Sequence, residues 1–201
     1  MNMTYFTSDW HMNHYKNAEK GVIQYCGRPF PARLKTPEMN ARIIEGFQVL
    51  DPSDHLYFLG DAFLYASLEE AQEFMSNIPC PVTMIRGNHD RWGKAKLMKA
   101  GFAEVLKYKT FEDDHFNLKG LMIHDPVAAC IKDLKDHVIF CGHIHQLWRT
   151  FGRCINVGVD VWDYTPVALD QLHPLVMQAA DQDWAAYHDV VNPEEYRSRK
   201  V

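Results

Sequence analysis

The chain of 201 residues contains no apolar run near the roughly 20 residues that a transmembrane helix requires. Its amino terminus lacks a basic segment followed by an apolar stretch, so a secretory leader is not expected. Positive charge is not in excess either. Lys and Arg number 21 against 26 Asp and Glu, a formal net charge of −5. That balance argues against a protein that coats duplex DNA or an anionic membrane by bulk electrostatics, while leaving a local basic patch open. The five cysteines (Cys26, Cys80, Cys130, Cys141, Cys154) form no C-x-x-C pair and are odd in number. Reduced thiols filling core space are expected, not a disulfide framework. Internal repeats, low-complexity tracts and dividing linkers are also missing. One soluble domain over residues 1–201 is therefore expected, able to bury about 70% of the surface its unfolded chain exposes. A cytoplasmic location without membrane contact goes with it, and the polar tail from Asn192 to Val201 is expected to fray.

What the chain does contain is a repeated device, a short apolar run that stops at Asp, Asn or His. Pro81-Val82-Thr83-Met84-Ile85 reads as a buried strand and gives way to Arg86-Gly87-Asn88-His89-Asp90. Asn88 offers a neutral oxygen ligand, His89 a group titrating near neutrality, and Asp90 a carboxylate able to orient that imidazole. Open α/β folds place their sites at the carboxyl edge of the sheet, where such residues would lie. Taken alone, Asn-His-Asp is as readily a polar turn. Four further runs repeat the arrangement. Met3 to Thr7 leads into Ser8-Asp9-Trp10-His11, and in an extended segment residues two apart share a face, so Asp9 and His11 can grip one ion. Leu56 to Leu59 ends at Gly60-Asp61, a carboxylate among apolar neighbours that needs a cation or donors to offset its desolvation. Leu118 to Ile123 ends at His124, and His137 to Cys141 ends at Gly142-His143-Ile144-His145. A histidine pair at a strand end is a common transition-metal grip.

The remainder is read more plainly. Thr36 is expected to cap a helix with Pro37 at its first position and a core stripe of Met39, Ile43, Ile44, Phe47 and Leu50. Ser67-Leu68-Glu69-Glu70 is a capping-box start for a helix to about Ile78. Arg91 to Lys99 reads as a short basic helix, and Val105 to Phe111 as a strand paired with Phe116 to Ile123 across a polar turn. Cys154 to Val159 is another strand, Asp160 to Val167 a turn and edge strand, and a helix from Leu169 through Trp184 is interrupted at Pro174. His14 lies beyond the Asp9/His11 register and is open to substrate contact or a loop cap. Arg28 in Gly27-Arg28-Pro29-Phe30 is a solvated arginine or a planar fork for phosphate, and Asp160 a partner behind a ligand or a turn residue. Histidines 55, 115, 137, 173 and 188 are read as structural or exposed.

Five strand ends thus deliver Asp9 with His11, Asp61, Asn88 with His89, His124, and His143 with His145. The set is too rich in oxygen for a structural zinc site and too large for one ion; two metals about 3.5–4 Å apart sharing Asp61 satisfy it. In the order Asp-x-His, Gly-Asp, Gly-Asn-His-Asp, His, Gly-His-x-His, the motifs resemble the calcineurin-like metallophosphoesterase superfamily over residues 9–145. Ser8 to His14, Gly27-Arg28-Pro29-Phe30 and Asn156 to Asp163 are similar to its small single-domain bacterial and phage members.

The resemblance implies a four-layer α/β/β/α sandwich of two mixed β-sheets. It implies one metal held by Asp9, His11, Asp61 and His145, and a second by Asp61, Asn88, His124 and His143. It implies His89 as the acid/base histidine, oriented by Asp90, an effect typically worth about 10²–10⁴ in rate. The attacking group it implies is a hydroxide bridging the two ions. The N/O ligand set suits manganese foremost, with iron, zinc and nickel also fitting. One departure stands out: Gly60-Asp61 is followed by Ala62-Phe63 and not by the Asp-Arg-Gly of Ser/Thr protein phosphatases, which argues against a phosphoprotein held through that arginine. The favoured expectation is a phosphodiesterase or phosphatase for a small, nucleotide-like compound, with His14, Arg28 and Asn88 touching substrate. A nuclease for single-stranded DNA or RNA is the alternative, kept open by the basic run after Asp90. A non-catalytic binding module on the same fold is the third.

Overall fold

The computed structural model describes residues 2–17, 20–129 and 136–180. In chain order the elements are β1 (Thr4–Thr7), the ribbon β2 (Tyr15–Asn17) and β3 (Lys20–Gly21), α1 (Val22–Cys26) and α2 (Pro37–Gly46). Then come β4 (His55–Phe58), α3 (Leu68–Met75), β5 (Val82–Ile85), α4 (Lys94–Ala100), β6 (Glu104–Leu106), β7 (Lys109–Asp113) and β8 (Leu118–Met122). The last are α5 (Pro126–Ala129), β9 (Val138–Cys141), β10 (Thr150–Phe151), β11 (Cys154–Asn156), β12 (Val167–Ala168) and α6 (Leu169–Ala180).

Two mixed five-stranded sheets follow from the apolar runs. One has the order β12-β1-β4-β5-β6, parallel apart from the antiparallel edge β12. The other has the order β10-β11-β9-β8-β7, with its three central strands parallel and its two outer strands antiparallel. Every residue of β5 and of β9 is buried, as strands covered on both faces require. Between the sheets Phe6, Leu59 and Ile85 pack against Leu118, Met122, Phe140 and Ile155, and the rings of Phe6 and Phe140 stack with centroids 4.8 Å apart. Outside the first sheet, Trp10 lies 3.9 Å from Phe58 between ring centroids and packs with Met39, Ile43, Phe47 and Phe74. Large side chains buried in this way contribute about 1.5–3 kcal/mol each. Over the outer face of the second sheet lie Ala129 of α5, Trp148 and Phe151. The chain has the metallophosphoesterase architecture that the motifs implied.

Three local expectations need correction. The run Val105 to Phe111 is not one strand: residues 104–106 join the first sheet as β6 and 109–113 join the second as β7, so the chain changes sheets at Lys107-Tyr108. Thr36 precedes α2 but does not cap it through its side chain; its φ is 39° and its hydroxyl donates to Asn40 Oδ1. Pro174 does not interrupt α6, which runs on to Ala180. The proline removes one backbone donor, and the buried face of Leu172, Val176 and Ala179 holds the helix across it. The short helix α1 carries no sequence signal strong enough to announce it. By contrast the capping box is present at α3: Ser67 Oγ accepts from Glu70 N, and Glu70 Oε2 accepts from Ser67 N.

Cys26, Cys80 and Cys141 are thiols, while Cys130, Trp184, His188 and the tail from Asn192 lie outside the described residues. His55 bonds Thr83 Oγ1, His137 bonds Asp136, and His115 and His173 pack on Phe116. No helix among the described residues is long and apolar enough to cross a membrane.

Candidate metal centre

The loops after β1, β4, β5, β8 and β9 meet. Backbone bonds knit the first two: Asp9 N donates to Gly60 O and His11 N to Asp61 O, both at 2.9 Å. On the other side Gly142 N donates to His124 O at 3.0 Å, and His143 N reaches across to Asp9 Oδ2 at 3.0 Å. The two-residue spacing does not act through an extended strand as expected. Asp9, His11, Asp61, His143 and His145 all have left-handed backbone, with φ of 60°, 51°, 62°, 73° and 49°. Such conformations cost of order 1–3 kcal/mol each and persist where the surrounding structure imposes them. Left-handed turns at Asp9 and His11 aim both side chains at one point and send the Trp10 between them into the core, where it is fully buried.

Two groups of ligand atoms result. In one, Asp9, His11 and His145 bring one atom each within 4.8 Å of one another; in the other, Asp61, His124 and His143 do the same. Asp61 Oδ2 joins them, 3.5 Å from His11 Nε2 and 3.3 Å from His124 Nε2. Asn88 Oδ1 enters the second group, 3.0 Å from His124 Nε2 and 2.8 Å from His143 Nδ1. Asp9 Oδ1 and His11 Nε2 face each other at 3.6 Å, both buried, and neither has a hydrogen-bond partner among the described residues. Buried polar atoms are otherwise almost always satisfied, so this pair fits a cation.

Behind the centre, three imidazoles are held at Nδ1 by three different partners. His124 Nδ1 bonds the Leu59 carbonyl at 2.6 Å, His11 Nδ1 meets His14 Nδ1 at 3.0 Å, and His145 Nδ1 bonds Asp160 Oδ2 at 2.8 Å. Each leaves Nε2 for the centre, the arrangement expected of metal-binding histidines. Asp9 Oδ2 is fixed by Ser8 Oγ and His143 N, and Asp61 Oδ1 by His89 N at 2.8 Å.

The charges balance within the group. Burial opposes ionisation of Asp9 and Asp61, but the imidazoles beside them hold both carboxyls below the usual range. Burial likewise opposes charging of His124, yet Asp61 raises it to about 9; His145, against the same opposition, is raised to about 10 by Asp160. Burial and the neighbouring His124 depress His143 to about 4. The protons on His124 and His145 do what a divalent cation would do, and metal binding would displace them. The donor set therefore fits two divalent ions.

Two further residues are placed differently from expectation. Asp90 does not orient the His89 ring. Its Oδ1 accepts from Ala62 N and its Oδ2 from Asp61 N and Gly87 N, so it staples two loops together. Arg28 is not a phosphate clamp, because it is 4% exposed with all five N–H groups engaged. They reach Asp160 Oδ1 and Oδ2, the Asp9 and Trp10 carbonyls and Met39 Sδ. Asp160 is both the turn residue and the partner behind His145. His14 and His89 do lie at the centre, with rings 5.5 Å apart and 5.0 and 5.4 Å from that of His11. Burial, then His11 and His89, push His14 down to about 3, so it is neutral near pH 7. Sequence reasoning passed over Ser8, for which no signal exists beyond its place before Asp9. It also passed over the Leu59 carbonyl, which no side-chain pattern can reveal.

Residues 6–159 match the calcineurin-like phosphoesterase superfamily domain. The chain is 30% identical over 185 residues to an uncharacterised protein of Methanocaldococcus jannaschii, spanning 88% of this chain and 92% of that protein. Among solved structures it is similar to a protein of unknown function from Aquifex aeolicus, with a TM-score of 0.64 and 24% identity over 87% of this chain and 100% of the other. That likeness shows the fold alone. A structure described as a novel archaeal phosphodiesterase aligns with a TM-score of 0.43 and 17% identity over 77% of this chain and 81% of the other, too distant to bear on function. With its matched segment running from the first strand past Asn156 and enclosing every residue of the two ligand groups, the chain belongs to the calcineurin-like phosphoesterase superfamily.

Proposed function

We propose that this protein is a metal-dependent hydrolase of phosphodiester or phosphomonoester bonds, acting in the cytoplasm on a small, nucleotide-like substrate. The observation that carries the reading is the pair of ligand groups joined by Asp61, with Asp9 Oδ1 and His11 Nε2 of the first group buried and without a hydrogen bond among the described residues. Asp9, His11, Asp61 and His145 would hold one divalent ion and Asp61, Asn88, His124 and His143 the other, manganese being the first choice for this N/O set. When bound, two such ions supply a water of lowered pKa and neutralise phosphate oxygens.

The chain's own residues do the rest. His89 N fixes Asp61 from one side, and its ring stands over His11 where a leaving oxygen can take a proton. His14 is neutral, and the proton that His11 Nδ1 shares with it leaves His14 Nε2 as a donor for a phosphate oxygen. The open face of the centre is formed by exposed Asn88 and half-buried His89, His143 and His145, which suits a small substrate entering from solvent.

The test is turnover by the chelator-stripped protein reloaded with Mn²⁺, across phosphomonoesters, diesters, cyclic nucleotides and oligonucleotides. Cleavage of bis(p-nitrophenyl) phosphate is expected, and Asp61→Ala and His89→Ala should abolish it while circular dichroism stays native. Undiminished turnover in either variant defeats the reading. Oligonucleotide cleavage with a steep salt dependence would replace it by the nuclease alternative.

A further inference from the structure

We infer that Arg28 and Asp160, which touch no reacting group, are positioning residues that set the affinity of one ion site and not the other. The inference rests on the reading of the centre as a two-metal site. Its basis is a chain of contacts that reaches only the Asp9/His11/His145 group. Of the three imidazoles tied at Nδ1, only His145 is tied to a carboxylate, and that carboxylate is gripped through both oxygens at 2.7 Å by the Arg28 fork. The same guanidinium bonds the Asp9 carbonyl at 2.7 Å and the Trp10 carbonyl at 3.2 Å. Those carbonyls belong to the segment that must hold left-handed backbone at Asp9 and His11.

Arg28 thus acts on all three side chains in that group by two separate routes. Through Asp160 it locks the tautomer and ring plane of His145, so that Nε2 carries the lone pair for the ion. Through the carbonyls it stabilises the turns that aim Asp9 and His11. None of these bonds from Arg28 or Asp160 ends on a side chain of the second group. His124 leans on a backbone carbonyl, and Asn88 and His143 converge with it from β5 and β9. Lysine cannot substitute: it has one nitrogen, where the site uses three pointing in fixed directions. The Gly27-Arg28 and Val159-Asp160 segments are 132 residues apart in sequence, and only the fold makes them a pair.

The test compares wild type, Arg28→Lys and Asp160→Asn as full-length protein, titrated with Mn²⁺ by calorimetry and analysed for bound metal after gel filtration. Wild type should bind two ions. Each variant should keep one and bind the other about 10–100-fold more weakly, the usual effect of removing a partner behind a ligand. Identity of the weakened site comes from double variants. Asp160→Asn should add little to His145→Ala, whereas with His143→Ala it should leave no tightly bound ion. Long-range ¹⁵N spectra supply a readout that mere destabilisation would not move: the His145 Nδ1–H signal should be lost in Asp160→Asn and retained in His143→Ala. Two ions at wild-type affinity in both variants would overturn the inference and leave the phosphoesterase reading intact. Equal weakening of both ions with a lowered melting point would overturn it too, as plain loss of folding. A wild-type protein that binds no ion would sink the functional reading and this inference with it.

Discussion

Gly87→Ala is the sharpest test of how the centre is built, because the perturbation is one methyl group. A Cβ at Gly87 would lie 2.1 Å from Asp61 Oδ1, 2.6 Å from Asp61 N and 2.8 Å from Asp61 Cγ. Asp61 cannot swing aside freely: Oδ1 accepts from His89 N, and its backbone N is held by Asp90 Oδ2. The added methyl must push the carboxylate off its donor or separate the loops after β4 and β5. Overpacking of this kind costs about 1–3 kcal/mol, and a buried acceptor left without its donor about 1–3 kcal/mol more. The metal-free variant should therefore lose roughly 2–6 kcal/mol in urea unfolding, and its melting point should fall by at least about 4 °C. Because Asp61 faces both ligand groups, Mn²⁺ titration should show both sites weakened, unlike the one-site effect expected of Arg28→Lys. Gly93→Ala is the control, since a Cβ there meets nothing within 4 Å; as the N-cap of α4 it should cost no more than about 1 kcal/mol and leave Mn²⁺ binding unchanged. If Gly87→Ala unfolds like wild type and binds two ions normally, the close approach of these loops is not what holds Asp61.

Other outcomes follow from the same contacts. Saturating the stripped protein with Mn²⁺ at about 100 times its Kd should add about 2.7 kcal/mol and raise the melting point by roughly 5–11 °C for each site filled; a scan that does not move argues against a metal centre. Asp90→Ala strips two buried N–H groups and one partly buried N–H group of their acceptor, and at about 1–3 kcal/mol for each buried one it should destabilise the metal-free protein by more than about 2 kcal/mol. Were Asp90 only an orienter of His89, stability would hold and turnover alone would drop. Ser67→Ala removes the capping box of α3, whose two bonds join Ser67 to Glu70 and to no residue of the centre, and should cost about 0.5–2 kcal/mol in urea unfolding with Mn²⁺ affinity unchanged.

By itself the sequence determined which residue types would meet and where strands would stop. β5 and β9 are continuous apolar runs because parallel strands are buried on both faces, and a run that ends in Gly-Asn-His or Gly-His-x-His marks a loop at the carboxyl edge. The Ser67 and Glu70 cap was equally legible, its partners being three residues apart. Tertiary structure decided everything that depends on what lies opposite. Asp90 sits beside His89 in the chain, yet it bonds the amides of the loop after β4, because those donors would otherwise be buried without a partner. Arg28 had the composition of a phosphate clamp and became an internal brace, since the fold brought Asp160 to its Nε/Nη2 edge and the Asp9 and Trp10 carbonyls and Met39 Sδ to its other donors, leaving none for a ligand. Local pattern reports chemistry carried by neighbours in sequence; which buried donor finds which acceptor is settled only when distant segments pack.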